Sequence, residues 1–143
     1  MNGRAAPPAQ GLYVPAKRHG DLIFVSGQTP RKNGELLHAG QVTLDAPDET
    51  YRAPVELAAE NALQAAGAQL AMGERVASAL SLTVYVNAPP GYMRHSHLAD
   101  FASRHIEDRI GEGGVASRAA IGVASLPGGA VVEIALIAVA APV

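Results

Sequence analysis

Two charged residues near the C-terminal end of the chain occupy settings that normally exclude charge. Arg118 opens the run Arg118-Ala119-Ala120-Ile121-Gly122-Val123, and Glu133 lies between Val132 and Ile134. Both runs are rich in Val, Ile and Ala and read as buried sheet. A charge there is costly unless it is paired or used. A guanidinium offers parallel N–H donors that match a carboxylate. A carboxylate among apolar neighbours has a raised pKa, which suits it to take a proton from water and give it back. The pair therefore suggests a site that grips a small anion and moves a proton.

The elements that must position these residues follow from pattern and punctuation. Residues 1–11 are Ala, Pro and polar and read as a flexible N-terminal arm; residues 12–143 read as a single domain. Residues 12–18 and 22–26 form two strands around a Gly20-Asp21 turn, and Asn33-Gly34 marks a further turn. A first helix is predicted from Asp45 as the cap, with Pro47 and Asp48 in its opening turn. Val55, Ala59, Ala62, Ala66 and Leu70 then recur at helical spacing up to Gly73. Pro54 either kinks this helix or begins its regular part. Residues 76–86 form a strand with Leu80, Leu82, Val84 and Val86 on one face. Leu98, Phe101, Ala102, His105 and Ile106 give a second helix its apolar face, and Gly111 ends it. The last two strands are joined by Leu126-Pro127-Gly128-Gly129. The result is an α+β fold with a mixed β-sheet and two helices on one face. The other face is also apolar, with Val131, Ala135 and Ile137, and predicts packing of sheet on sheet between subunits.

Composition narrows the function. The chain has 143 residues, 48% of them hydrophobic, which is enough for one real core. Its net charge is −2 and only 4% of its residues are aromatic, so no nucleic-acid partner is expected. There is no cysteine, which removes disulfides, thiolate metal sites and thiol catalysis. His95 and His97 are two apart on a helix and do not share a face, so no metal is expected. His105 reads as a core histidine, and Gly111, Gly113 and Gly114 as a helix cap and loop rather than a phosphate cradle. No apolar run follows Met1 and Pro7-Pro8 interrupts the start, so the expectation is a cytoplasmic protein without signal peptide or membrane span.

Four motifs in order resemble the Rid family, also called the YjgF/YER057c/UK114 or endoribonuclease L-PSP family. They are Val25-Ser26-Gly27-Gln28, Asn61-Ala62-Leu63, Thr83-Val84-Tyr85-Val86, and Arg118 followed by Val123-Ala124-Ser125-Leu126-Pro127 and Val132-Glu133-Ile134. The resemblance implies a chorismate-mutase-like fold and a homotrimer whose three sheets form a central barrel, with clefts between subunits. It implies a hydrolytic enamine/imine deaminase that converts 2-imino acids of the 2-aminoacrylate type to 2-ketoacids and ammonia, without a cofactor. In that scheme Arg118 clamps the substrate carboxylate and Glu133 handles the attacking water. Ser26 and Gly27 line the cleft, Tyr13 reaches in from the first strand, and the backbone near Ala120 adds a donor.

The chain also departs from that pattern. Ala120 stands where typical deaminases have Cys, the second helix around residues 94–98 lacks an Asn, and Ala135 replaces a second Glu. These departures keep open a non-catalytic trimer that binds small carboxylates; a ribonuclease or translation inhibitor is a third reading. Each residue also has a plainer reading. Arg118 can be a solvated edge arginine, Glu133 a carboxylate paired at a subunit contact, Ser26-Gly27 a strand-end turn and Tyr13 a barrel aromatic. The 126–130 turn makes the last two strands antiparallel, so Arg118 is expected level with Ala138 and ~16 Å along the sheet from Glu133, whether the strands are direct neighbours or, as the resemblance implies, have another strand between them. A three-carbon substrate does not bridge that distance within one chain, so the expectation is an active site shared between subunits.

Overall fold

The computed structural model describes residues 6–143. Residues 1–5 of the expected arm lie outside the described residues. Nine elements position the site: β1 (Ala16–His19), β2 (Leu22–Gln28), β3 (Arg31–Lys32), β4 (Glu35–Leu36), α1 (Arg52–Gly67), β5 (Glu74–Asn87), α2 (His95–Ile110), β6 (Ser117–Val123) and β7 (Val132–Pro142). Five strands form one mixed sheet in the order β1-β2-β7-β5-β6. β6 runs parallel to β5, whereas the other neighbours are antiparallel.

Local chemistry explains the boundaries. Gly20 adopts φ 60° in the turn between β1 and β2. Asn33 and Gly34 both have positive φ, the backbone that turns the short β3–β4 hairpin. The sequence marked this turn but not its strands, which are two residues each. Asp45 caps no helix. A 3-10 turn over Asp48–Tyr51 comes first, and α1 starts at Arg52. Pro54 thus falls in the first turn of α1, where a missing N–H costs nothing. The helix ends at Gly67, six residues before Gly73.

The core lies between the helices and one sheet face. Ile23, Val25, Leu82, Val84, Val86, Ile134, Leu136 and Ala138 are buried beneath Val55, Ala59, Leu63, Leu98, Phe101 and Ile106. On the opposite face Phe24 is 46% exposed and Ile121 43%. Phe24 pairs with Ile137, Thr83 with Ala135 and Tyr85 with Glu133, so that face is largely apolar and carries one acid. Val131, expected there, is fully buried and precedes β7. Leu80 also departs from expectation. Register shifts between Val76 and Ser78 and between Ala79 and Ser81 change the alternation of β5 and leave Leu80 exposed.

Candidate functional site

Two clusters emerge, one on each side of β5. The first gathers at the end of β2. The β2–β7 register shifts between Val25 and Gln28, and Gly27 lies in that irregular stretch. Ser26 ties this end to the segment before β1: its N–H donates to the Pro15 carbonyl (2.9 Å) and its Oγ–H to the Val14 carbonyl (2.6 Å). Its hydroxyl hydrogen is therefore committed. Asn61, buried on α1, donates to the carbonyls of Thr29 (3.1 Å) and Arg31 (2.9 Å) and holds the chain just past β2.

Glu133 reaches across to Gly27. A Cβ at position 27 would lie 2.7 Å from the Glu133 Cδ, so any larger residue there would push the carboxylate out of this position. Glu133 is half-buried, and burial pushes its pKa up. Among the described residues no hydrogen bond or ion pair reaches it. Tyr13 is 47% exposed, and its hydroxyl accepts from the Gln10 N–H at 3.0 Å. It lies in a bend before β1, not in the first strand, which begins only at Ala16.

Tyr13 and Gly27 also line a cavity of about 430 Å³ together with Pro7, Pro8, Glu60 and Asn61. Neither Arg118 nor Glu133 lines it. Its buried acid is already engaged: burial alone would raise Glu60, but hydrogen bonds from Arg109, Gln64 and His105 outweigh that and bring it to about 2. His105 therefore sits at the edge of the core, hydrogen-bonded to Glu60 at 2.8 Å. The cavity is shaped for binding, with Arg31 and Lys32 also on its wall, but its one acid is taken up by these partners.

The second cluster is built on β6 and α2. Arg118 faces the helices. Its Nη1 donates to Asp100 Oδ1 (2.8 Å) and Ser103 Oγ (3.0 Å), and its Nη2 to Ser96 Oγ (2.9 Å). Ala120, half-buried opposite Val84, packs against the core. A Cβ at Gly122 would meet the His95 imidazole, so His95 covers the strand two residues beyond Ala120. Sequence reading missed Ser96, Asp100 and Ser103. Their spacing of i, i+4 and i+7 was the available signal, since it places three polar groups on one helix face.

The clusters do not meet within the chain. Arg118 is level with Leu82 and Leu82 with Leu136, not with Ala138 as expected. The two last strands are not a symmetric hairpin: the connection crosses β5 and turns through a 3-10 segment at Pro127–Gly129. Glu133 is three residues from Leu136, so the offset is ~10 Å along the sheet rather than ~16 Å. The odd offset also puts the two side chains on opposite faces, Arg118 toward α2 and Glu133 toward the face without helices. No cluster of three or more potential metal ligands occurs among the described residues. No helix there is long and apolar enough to cross a membrane.

Comparison with known proteins agrees with this architecture. The chain is 34% identical over 131 residues to Protein TCP17 of Trypanosoma cruzi, covering 91% of this chain and 81% of that one. A structure from Shewanella oneidensis MR-1, described as a candidate endoribonuclease, superposes with a TM-score of 0.84 at 26% identity, covering 95% of this chain and 90% of the other. Escherichia coli TdcF with bound serine gives 0.65 at 26% identity, covering 94% and 92%. The family pattern described as Endoribonuclease L-PSP matches residues 3–140. With its motifs, its two helices on a mixed sheet and these relatives in agreement, the chain belongs to the endoribonuclease L-PSP (YjgF/UK114) family.

Proposed function

We propose that this protein is a hydrolytic deaminase of 2-imino acids, working as a homotrimer whose clefts are shared between subunits. The observation that carries the reading is Glu133: a half-buried carboxylate with a raised pKa, no partner among the described residues, and space kept for it by Gly27. Such a group is poised for general acid–base work. The serine bound to TdcF supports a ligand class of small carboxylates of amino-acid size. Arg118 fits the carboxylate of such a ligand through two charge-assisted hydrogen bonds.

In this reading the substrate enters as the imine, R–C(=NH)–COO⁻. Water attacks the imine carbon while Glu133 takes one of its protons. Glu133 returns that proton to nitrogen, giving the carbinolamine R–C(OH)(NH2)–COO⁻; it then takes the hydroxyl proton and passes it to the same nitrogen as the C–N bond breaks, so that NH3 leaves and the 2-ketoacid forms. Every atom comes from the imine and water, and the imine carbon is electrophilic without help from a cofactor. Arg118 of one subunit orients the carboxylate, and Glu133, Gly27 and Tyr13 of a neighbour complete the cleft. The apolar face around Phe24, Ile121 and Ile137 supplies the area for the subunits to pack.

The test is ammonia and pyruvate release from 2-iminopropanoate generated freshly from alanine by an amino-acid oxidase. Acceleration over the spontaneous rate supports the reading; a rate equal to buffer overturns it. The absence of a second acid at Ala135, together with the engaged Arg118, favours a non-catalytic carboxylate binder as second reading, and the same assay separates the two. The ribonuclease activity in the family's description has less support, given a net charge of −2 and 4% aromatic residues.

A further inference from the structure

We infer that Asp100 is a specificity residue: an internal carboxylate seated on Arg118, which a ligand carboxylate must displace in order to bind. The inference rests on Arg118 being the carboxylate clamp, and adds how that clamp is filled before a ligand arrives.

A carboxylate ligand would use two parallel donors of the guanidinium. Both terminal nitrogens of Arg118 are already engaged, Nη1 by Asp100 and Ser103 and Nη2 by Ser96. The Ser96 carbonyl lies 3.4 Å from Nη2 as well. The Asp100 contact is one-pronged, through Oδ1 alone, and the Asp100 side chain is 43% exposed. One-pronged pairs at a surface are weak and exchangeable. The second oxygen points elsewhere: Oδ2 lies 4.0 Å from Arg104 Nη2, one helical turn along α2. Asp100 thus has a second cation to turn to when it leaves Arg118.

The exchange keeps one carboxylate on the guanidinium while the Asp100 charge moves toward Arg104, and Ser96 and Ser103 stay as neutral partners that fix the plane of the guanidinium. A ligand without a carboxylate has nothing to offer in the exchange. The internal carboxylate therefore selects for anionic ligands and lowers the affinity for all of them.

The test is titration with pyruvate, followed by NMR, of the wild-type protein and of Asp100→Asn, Asp100→Ala and Arg118→Ala, alongside imine turnover. Asp108→Asn, on the exposed side of the same helix, is the control for net charge. Both Asp100 variants should bind pyruvate about two- to fivefold more tightly, and KM should fall by the same factor with kcat little changed. Asp108→Asn should leave both values alone, and Arg118→Ala should lose binding. In the unmutated protein the Asp100 carboxylate carbon should shift on pyruvate addition. Wild-type turnover with unchanged or weaker binding in the Asp100 variants overturns the exchange alone, leaving Asp100 as a brace for Arg118. Neither binding nor turnover in any form overturns the clamp and the exchange together.

Discussion

The two ends of the candidate site contrast in how their charges are held. At the β6–α2 end, Arg118 is flanked by Ser96, Asp100 and Ser103, and both its terminal nitrogens are hydrogen-bonded inside the chain. At the β2–β7 end, Glu133 is half-buried with no partner among the described residues, and burial raises its pKa. The first arrangement stabilises a charge; the second leaves one under strain of desolvation. A purely structural acid would be expected to find a partner. The unsatisfied end is therefore the better pointer to chemistry, and the satisfied end to recognition.

Substitutions can break this contrast, and the largest effect is expected at the recognition end. Arg118→Ala should abolish ketoacid binding and imine turnover while the fold persists, and Arg118→Lys should rescue little because it lacks the planar fork. Measured turnover near the wild-type level in Arg118→Ala would remove Arg118 from the site. Glu133→Gln should lower kcat by about 10²–10⁴ with ketoacid affinity nearly intact. Loss of assembly without that kinetic signature would make Glu133 structural.

Smaller effects sharpen the comparison. Gly27→Ala should push the Glu133 carboxylate aside and reduce kcat roughly ten- to a hundredfold, with the melting temperature little changed. A fully active Gly27→Ala enzyme would show that the position of the carboxylate is immaterial. The smallest effect is on stability. The folded-state pKa of Glu133 lies above that of the unfolded chain, so the native protein holds more protons between the two values. Stability therefore falls as pH rises through that window. Glu133→Gln removes the penalty and should raise Tm at neutral pH, with the gain vanishing below the unfolded carboxylate pKa of about 4.3. A gain of equal size at all pH values would point to packing instead.

Much of the fold was legible because it is encoded locally. Gly20, Asn33-Gly34 and Gly111 punctuate the chain where the structure turns, and the apolar stripe from Leu98 to Ile106 faces the core. What was not legible depends on contacts far apart in sequence. The strand β5 between the last two strands was implied only by the family resemblance, and the register that sets Arg118 level with Leu136 and the shifts that turn Leu80 outward come from pairing across the sheet. The same holds for the site. Glu133 among apolar residues announced a raised pKa. By contrast, nothing near Arg118 in sequence announced that α2 would supply Asp100 and two serines. Tyr13 was placed on a strand because its neighbours are β-prone, yet Pro15 precedes the start of pairing at Ala16.

Placing Arg118 and Glu133 on opposite faces of one sheet leads to the central claim, that a working cleft takes one residue from each of two subunits. Arg118→Ala and Glu133→Gln proteins, each inactive alone, can be unfolded, mixed in equal amounts and refolded together. In randomly mixed trimers about a quarter of the interfaces join an intact Arg118 to an intact Glu133. The account predicts imine turnover of up to about that fraction of the wild-type value. No recovery in trimers verified as hybrids would place both residues in one subunit's site and contradict it.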